Sequence, residues 1–226
     1  MKVGILFSGG KDSAYAMHKV RGEHTVVCLI TIASKNPESY MFHTPNIDVT
    51  CLQAEASGLP LVRVESEGVK EDELKDLEKA VLEAKSRYGI EGVVTGAIES
   101  VYQSERVQRI CDRLGLRCFN PLWKKDQVTL LSEILGEGFK VIISGVFAYP
   151  LDETWLGKEL DAKTTTELVK LTEKFQISPS GEGGEIETTV LDAPFFKKRV
   201  VIIEAEKTFR QGSGTYAIRK AELVGK

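Results

Sequence analysis

Short apolar and β-branched runs that alternate with stretches of helical periodicity constrain the first half of this chain more than any other feature. Residues 2–7 (KVGILF), 25–32 (TVVCLITI), 61–64, 92–95 (GVVT) and 117–119 read as strands, because runs of this length and content suit a buried sheet. Residues 12–21, about 46–57, about 70–88 and the segment that follows Ser100 read as helices. The third of these carries Leu74, Leu77, Val81, Ala84 and Tyr88 on one face. The fourth carries Val107, Ile110, Cys111 and Leu114, and Ser100 is a suitable N-cap for it. Strands that alternate with helices build a parallel sheet covered on both sides, so the expected class is α/β, doubly wound.

The rhythm changes after residue 125. A helix over 127–135 and a strand over 139–147 (FKVIISGVF) precede a Trp/Thr/Glu-rich segment and the loop SPSGEGGEIE; strands over 199–205 and about 215–223 close the chain. This reading divides the chain into residues 1–122 and a smaller α+β C-terminal domain, residues 123–226.

The chain has 226 residues, 28% charged and 42% hydrophobic, with a formal net charge of -3. That balance is one of an ordinary globular protein, and the mild acidity argues against nucleic acid as a partner. No apolar run approaches the roughly 18 residues that span a bilayer, and the N-terminus has no secretory pattern. The expectation is a cytoplasmic protein with no membrane contact. Cys28, Cys51, Cys111 and Cys118 are scattered without zinc-ligand spacing and are expected to be buried, inert thiols.

The turn Ser8–Ser13, SGGKDS, follows the first strand and opens the first helix. In a parallel sheet, ligands sit beyond the carboxyl ends of the strands at this kind of turn. Gly9 and Gly10 permit close approach of backbone N–H groups, and the helix start adds unpaired N–H groups and the positive end of its dipole. Ser8 and Ser13 can donate hydroxyl hydrogens, and Lys11 can supply a cation. Asp12 suits a Mg²⁺ ion, which takes one or two carboxylates together with phosphate oxygens. A tight turn with a well-capped helix start is the bland alternative, and the position after a buried strand favours phosphate binding. The spacing differs from that of a Walker loop.

FSGGKDS resembles the signature of the PP-loop ATP pyrophosphatases, which have a Rossmann-like adenine nucleotide alpha hydrolase fold. The resemblance implies a loop that holds the β,γ-pyrophosphate of ATP for cleavage between the α and β phosphates. It also implies that Thr31 and Ile32 lie near the adenine, and Gly96 near the ribose or phosphates. The stretches VTGAIESVYQSERVQRICDRLGL, PLWKKDQVTLLSEIL, GVFAYPLDETWLGKELD and SGEGGEIETTVLDAPFFKK are similar to the diphthine–ammonia ligase family over nearly the whole chain. That family resemblance implies amidation by free ammonium of the diphthine residue of translation elongation factor 2, with ATP activating the carboxylate as an acyl-adenylate. Its products would be diphthamide, AMP and pyrophosphate, and its cofactors ATP and Mg²⁺ held by Asp12.

Glu182, Glu185 and Glu187 concentrate carboxylates that can accept hydrogen bonds from ammonium, deprotonate it or attract the quaternary ammonium of diphthine. Gly183, Gly184 and Thr188 of the same loop are expected to face the substrate. From the residues alone, a solvated acidic turn before a strand is an equal reading. Trp155, Trp123, Tyr149 and Tyr102 are candidate cation–π walls, with ordinary packing the stronger alternative. Gln103 and Arg106 share a helix face, where Arg106 would meet the substrate carboxylate or a phosphate. His43 is a candidate for the nucleotide pocket.

Two other readings compete. A PP-loop enzyme that adenylates a tRNA base commonly brings catalytic cysteines or a basic region, and a non-catalytic ATP sensor has no use for GEGGEIET. A homodimer is compatible with the chain, and nothing in the sequence requires one.

Overall fold

The computed structural model describes residues 1–36, 45–69 and 71–226; His43 lies outside the described residues. Strands β1 (Lys2–Leu6), β2 (Thr25–Ser34), β3 (Leu61–Ser66), β4 (Gly92–Val94) and β5 (Arg117–Phe119) pair in parallel in the order β3-β2-β1-β4-β5. The connecting helices are α1 (Lys11–Val20), α2 (Val49–Ser57), α3 (Glu73–Tyr88) and α4 (Val101–Arg113). The α/β class is as the alternation predicts.

Alternation along β2 explains how the sheet is covered. Ile30 and Ile32 pack with Leu77, Val81, Val107 and Ile110 of α3 and α4, whereas Leu29 faces the opposite side with Ala14 and Met17 of α1. Val107, Ile110 and Cys111 of the predicted α4 stripe are buried, Leu114 is half-buried just past the helix end, and the Ser100 hydroxyl accepts the Gln103 N–H at 3.3 Å.

The remainder of the chain contains α5 (Gln127–Gly136), β6 (Lys140–Val146), α6 (Ala162–Phe175), β7 (Ile186–Asp192), β8 (Lys198–Arg210) and β9 (Ser213–Gly225). Its strands form an antiparallel sheet in the order β7-β6-β9-β8. The β8–β9 hairpin is longer than the apolar runs at 199–205 and 215–223 suggest. The Trp/Thr/Glu-rich segment holds α6, whose Asp161 cap accepts from the Thr164 N–H at 2.7 Å. Leu130, Leu131, Val141, Ile143 and Val190 join Ala14 and Met17 in one core cluster, so the antiparallel half packs directly on the α1 side of the parallel sheet.

Cys28 and Cys111 are buried, Cys118 is half-buried and Cys51 is exposed. The expectation of buried thiols therefore fails at Cys51, which lies on the outer face of α2 within 3.5 Å of the Arg63 guanidinium. Among the described residues, no helix is long and apolar enough to cross a membrane.

Candidate functional site

Neighbouring β1 and β4 are where the strand order reverses, and a sheet of this kind opens a crevice at that point. Ser8–Ser13 leaves β1 there, and Thr95–Ala97 leaves β4. Gly9 adopts a φ of 81°, a conformation that a side chain would strain. A Cβ on Gly96 would lie 2.7 Å from Ser13 N and 2.8 Å from the Asp12 carbonyl carbon. Glycine at 96 thus lets the first turn of α1 pack against the end of β4, a role that spacing alone does not reveal.

The turn is held from two sides. Gln53 of α2 donates through Nε2 to Gly9 O at 2.9 Å and to Val190 O at 2.7 Å, and Val190 N–H also donates to Gly9 O at 2.9 Å. No side chain caps the start of α1 locally. Instead, Lys11 N–H donates to Thr188 Oγ1 at 3.1 Å. The fully buried Lys11 ammonium donates to Asp12 Oδ2 at 2.9 Å and to Ser180 O at 2.5 Å. An ammonium has three donors, so one remains for a ligand.

The acidic loop is organised by a residue with no sequence signal, Gln127 at the start of α5. Its Oε1 accepts from Ser178 Oγ, from Ser180 Oγ at 2.7 Å and from Ser180 N–H at 3.2 Å. Ser178 Oγ accepts in turn from Glu182 N–H at 2.9 Å, and Glu185 Oε1 accepts from Ser178 N–H at 2.8 Å. Gly181 has a φ of 81°, and a Cβ there would fall 2.5 Å from Ile186 O.

Both loops line a single cavity of about 490 Å³. Ser8, Lys11, Asp12, Ser13, Ile32, Gly96 and Gln103 lie on its wall together with Glu182, Gly183, Gly184, Glu187 and Thr188. Ser100 and Val107 also line it, a consequence of α4 starting beside the end of β4. Gly9 and Gly10 sit just behind the wall, where Gly10 packs on Thr188 O.

Other expected residues lie elsewhere. Thr31 points to the sheet face opposite Ile30 and Ile32, and its hydroxyl donates to Phe7 O at 2.6 Å. The Glu185 carboxylate folds back on its own loop, with Oε2 buried and without a hydrogen-bond partner. Arg106 pairs with Glu71 at 2.7 Å and stacks 3.4 Å above the Tyr102 ring, so these two side chains engage each other rather than the cavity. Trp155 is buried in the core under the Lys158 ammonium, Trp123 is partly exposed beside Lys124, and Tyr149 packs edge-on against Phe175. None of the four aromatic candidates stands on the cavity wall.

The electrostatics single out Glu182. Burial pushes its carboxyl above the usual 4.5, and the nearby Asp12 charge pushes it further in the same direction. Its Oε2 accepts the Glu99 N–H at 3.1 Å, which opposes the shift. Asp12 Oδ1 is buried at the cavity and has no hydrogen-bond partner. Among the described residues, no group of three or more His, Cys, Asp and Glu side chains could hold a metal ion unaided.

Two family models match the chain, the Diphthamide synthase N-terminal domain over residues 1–118 and the Diphthamide synthase C-terminal domain over residues 126–224. A Diphthine–ammonia ligase of Schizosaccharomyces pombe is 40% identical over 223 positions, covering 91% of this chain and 37% of that protein. One of Danio rerio is 38% identical over 236 positions, covering 96% of this chain and 92% of that protein. The chain therefore spans little more than a third of the yeast relative and nearly all of the fish relative. Among solved structures, a predicted subunit of tRNA methyltransferase from Methanocaldococcus jannaschii superposes with a TM-score of 0.45 at 18% identity, over 86% of this chain and 98% of that one.

Proposed function

Since the chain belongs to the diphthamide synthase family, we propose that it joins ammonium to the diphthine carboxylate of translation elongation factor 2, using ATP and releasing AMP and pyrophosphate. The observation that carries this reading is the junction of the two motifs. Lys11 reaches from the glycine turn to Ser180 and Thr188 of the acidic loop, so a nucleotide-holding turn and a carboxylate-rich loop share one cavity.

In this reading residues 1–122 hold the nucleotide and residues 123–226 supply the acceptor side. The Asp12 and Ser13 N–H groups of α1, the remaining Lys11 donor and the Ser8 hydroxyl bind the β and γ phosphates, while the Ser13 hydroxyl holds the turn by donating to Gly10 O at 3.1 Å. They hold the leaving pyrophosphate while a diphthine carboxylate oxygen bonds to the α-phosphorus, giving an acyl-adenylate. Ile32 and Leu6 offer apolar surface to the adenine.

Ammonium has no free electron pair, so it must lose a proton before its nitrogen can attack the acyl carbon and expel AMP. Glu182 suits that transfer, because burial raises its proton affinity towards the working range of a general base. Glu187, also on the wall, adds negative charge that draws in ammonium and the quaternary ammonium of diphthine. Glu185 positions the loop through Ser178.

Asp12 Oδ1 fits Mg²⁺, being a single orphaned carboxylate oxygen beside a phosphate site. Bound there, the ion would neutralise phosphate charge.

The reading is tested by AMP release. It requires diphthine-bearing elongation factor, ATP and ammonium together; release that depends on tRNA instead overturns it in favour of a base-adenylating enzyme.

A further inference from the structure

A second cavity, of about 220 Å³, lies on the antiparallel sheet and is lined in part by Phe147, Thr208, Arg210 and Thr215. The strand register ties it to the site already described. Glu187 of β7 pairs with Gly145 of β6, Gly145 pairs with Thr215 of β9, and Thr215 pairs with Thr208 of β8. Paired residues project to the same face of a sheet. These four therefore form one row that starts at the wall of the main cavity and ends in the second one.

Gly145 gives the row no side chain of its own at its second position, and Phe147 fills that place. A Cβ there would lie 3.3 Å from Glu187 Cβ and 2.6 Å from the Phe147 ring, so the phenyl ring covers the position where a side chain would stand. That ring is 42% exposed, and Phe147 N–H donates to Glu185 O at 2.9 Å. The Thr208 and Thr215 hydroxyls meet at 3.0 Å. Arg210, two residues beyond Thr208 along β8 and on the wall of the second cavity, has no ion-pair partner among the described residues. Three strand spacings of ~4.8 Å make the row about 14 Å long, the reach of about four residues of extended chain.

The proposed acceptor is a side chain of a large protein, so its carboxylate must enter the main cavity while its backbone stays outside. We propose that this sheet face receives the polypeptide segment next to the reacting residue, with Phe147 packing against it and Arg210 pairing with an acidic side chain it carries. This rests on the proposed function. Its support is the continuous register from Glu187 to Thr208 and, two residues along β8 on the same face, a guanidinium without an ion-pair partner among the described residues.

The test compares two acceptors, diphthine-bearing elongation factor 2 and free diphthine, at saturating ATP and ammonium. In Arg210→Glu the loss of kcat/KM on the protein exceeds the loss on free diphthine by about tenfold and appears in KM. Phe147→Ala shifts the same ratio in the same direction, and added salt weakens wild-type KM for the protein more than that of Arg210→Glu. Equal losses on both acceptors, or no loss in either variant, overturn the docking surface. A wild-type protein that amidates neither acceptor overturns the function on which it rests.

Discussion

The backbone N–H of Lys11 donates to the Thr188 hydroxyl at 3.1 Å across 177 residues of chain. This bond and the Lys11 to Ser180 contact join the glycine turn to the acidic loop. In the proposed reaction, charge stabilisation and acceptor chemistry therefore share one frame.

Lys11→Ala should lower AMP formation by at least ~100-fold, the usual loss on removing one donor aimed at transition-state charge. The Ser180 carbonyl would also lose its partner, and ~1–3 kcal/mol of stability with it. Single-turnover AMP release and a thermal melt measure the two effects separately. Asp12→Ala should abolish AMP formation and, by leaving the buried Lys11 ammonium without its carboxylate, lower the melting temperature as well.

Gln127 touches the main cavity only through other residues, and its substitution should still be felt there. Gln127→Leu leaves the Ser178 and Ser180 donors without their acceptor, a loss of ~1–3 kcal/mol, and should lower kcat more than it weakens ATP binding. Gln127→Glu keeps an acceptor oxygen and should restore most of kcat. Equal kcat in the leucine and glutamate variants would contradict a positioning role.

Gly96→Ala forces a methyl group against the backbone of Asp12 and Ser13. Neither atom can rotate away, so a cost of ~1–3 kcal/mol is expected, together with weaker ATP binding. Calorimetry on the folded variant reads the second effect.

Glu182 gives the stability curve a defined sign. Its carboxyl holds a proton more tightly in the folded protein than in the unfolded chain, where the usual value is 4.5. The contribution is present in full below that value and is lost as pH rises through the raised one. Melting temperature against pH should fall less steeply above 4.5 in Glu182→Gln than in the wild type, and Glu182→Gln should lose amide formation while retaining ATP binding.

Much of this was legible in the sequence, for physical reasons. Strand alternation dictates the parallel sheet, and SGGKDS after the first strand falls at the reversal of strand order because β1 is central. Residues whose roles depend on tertiary contacts were not legible. Gln127 organises the acidic loop through three hydrogen bonds that no local pattern encodes. Trp155 follows the stronger of its two readings, packing in the core, but which reading holds is settled only by its neighbours. In α6, three successive threonines mask a helix that the Asp161 cap and buried Leu168 establish.

The most direct measurement is the intact mass of the modified histidine-bearing peptide after the protein is incubated with diphthine-bearing elongation factor 2, ATP and ammonium. Conversion of the acid to the amide, with one AMP per amide and at least ~100-fold less AMP from Lys11→Ala, is the predicted result. A peptide that keeps the mass of the acid while ATP, ammonium and folded protein are all present would contradict the account.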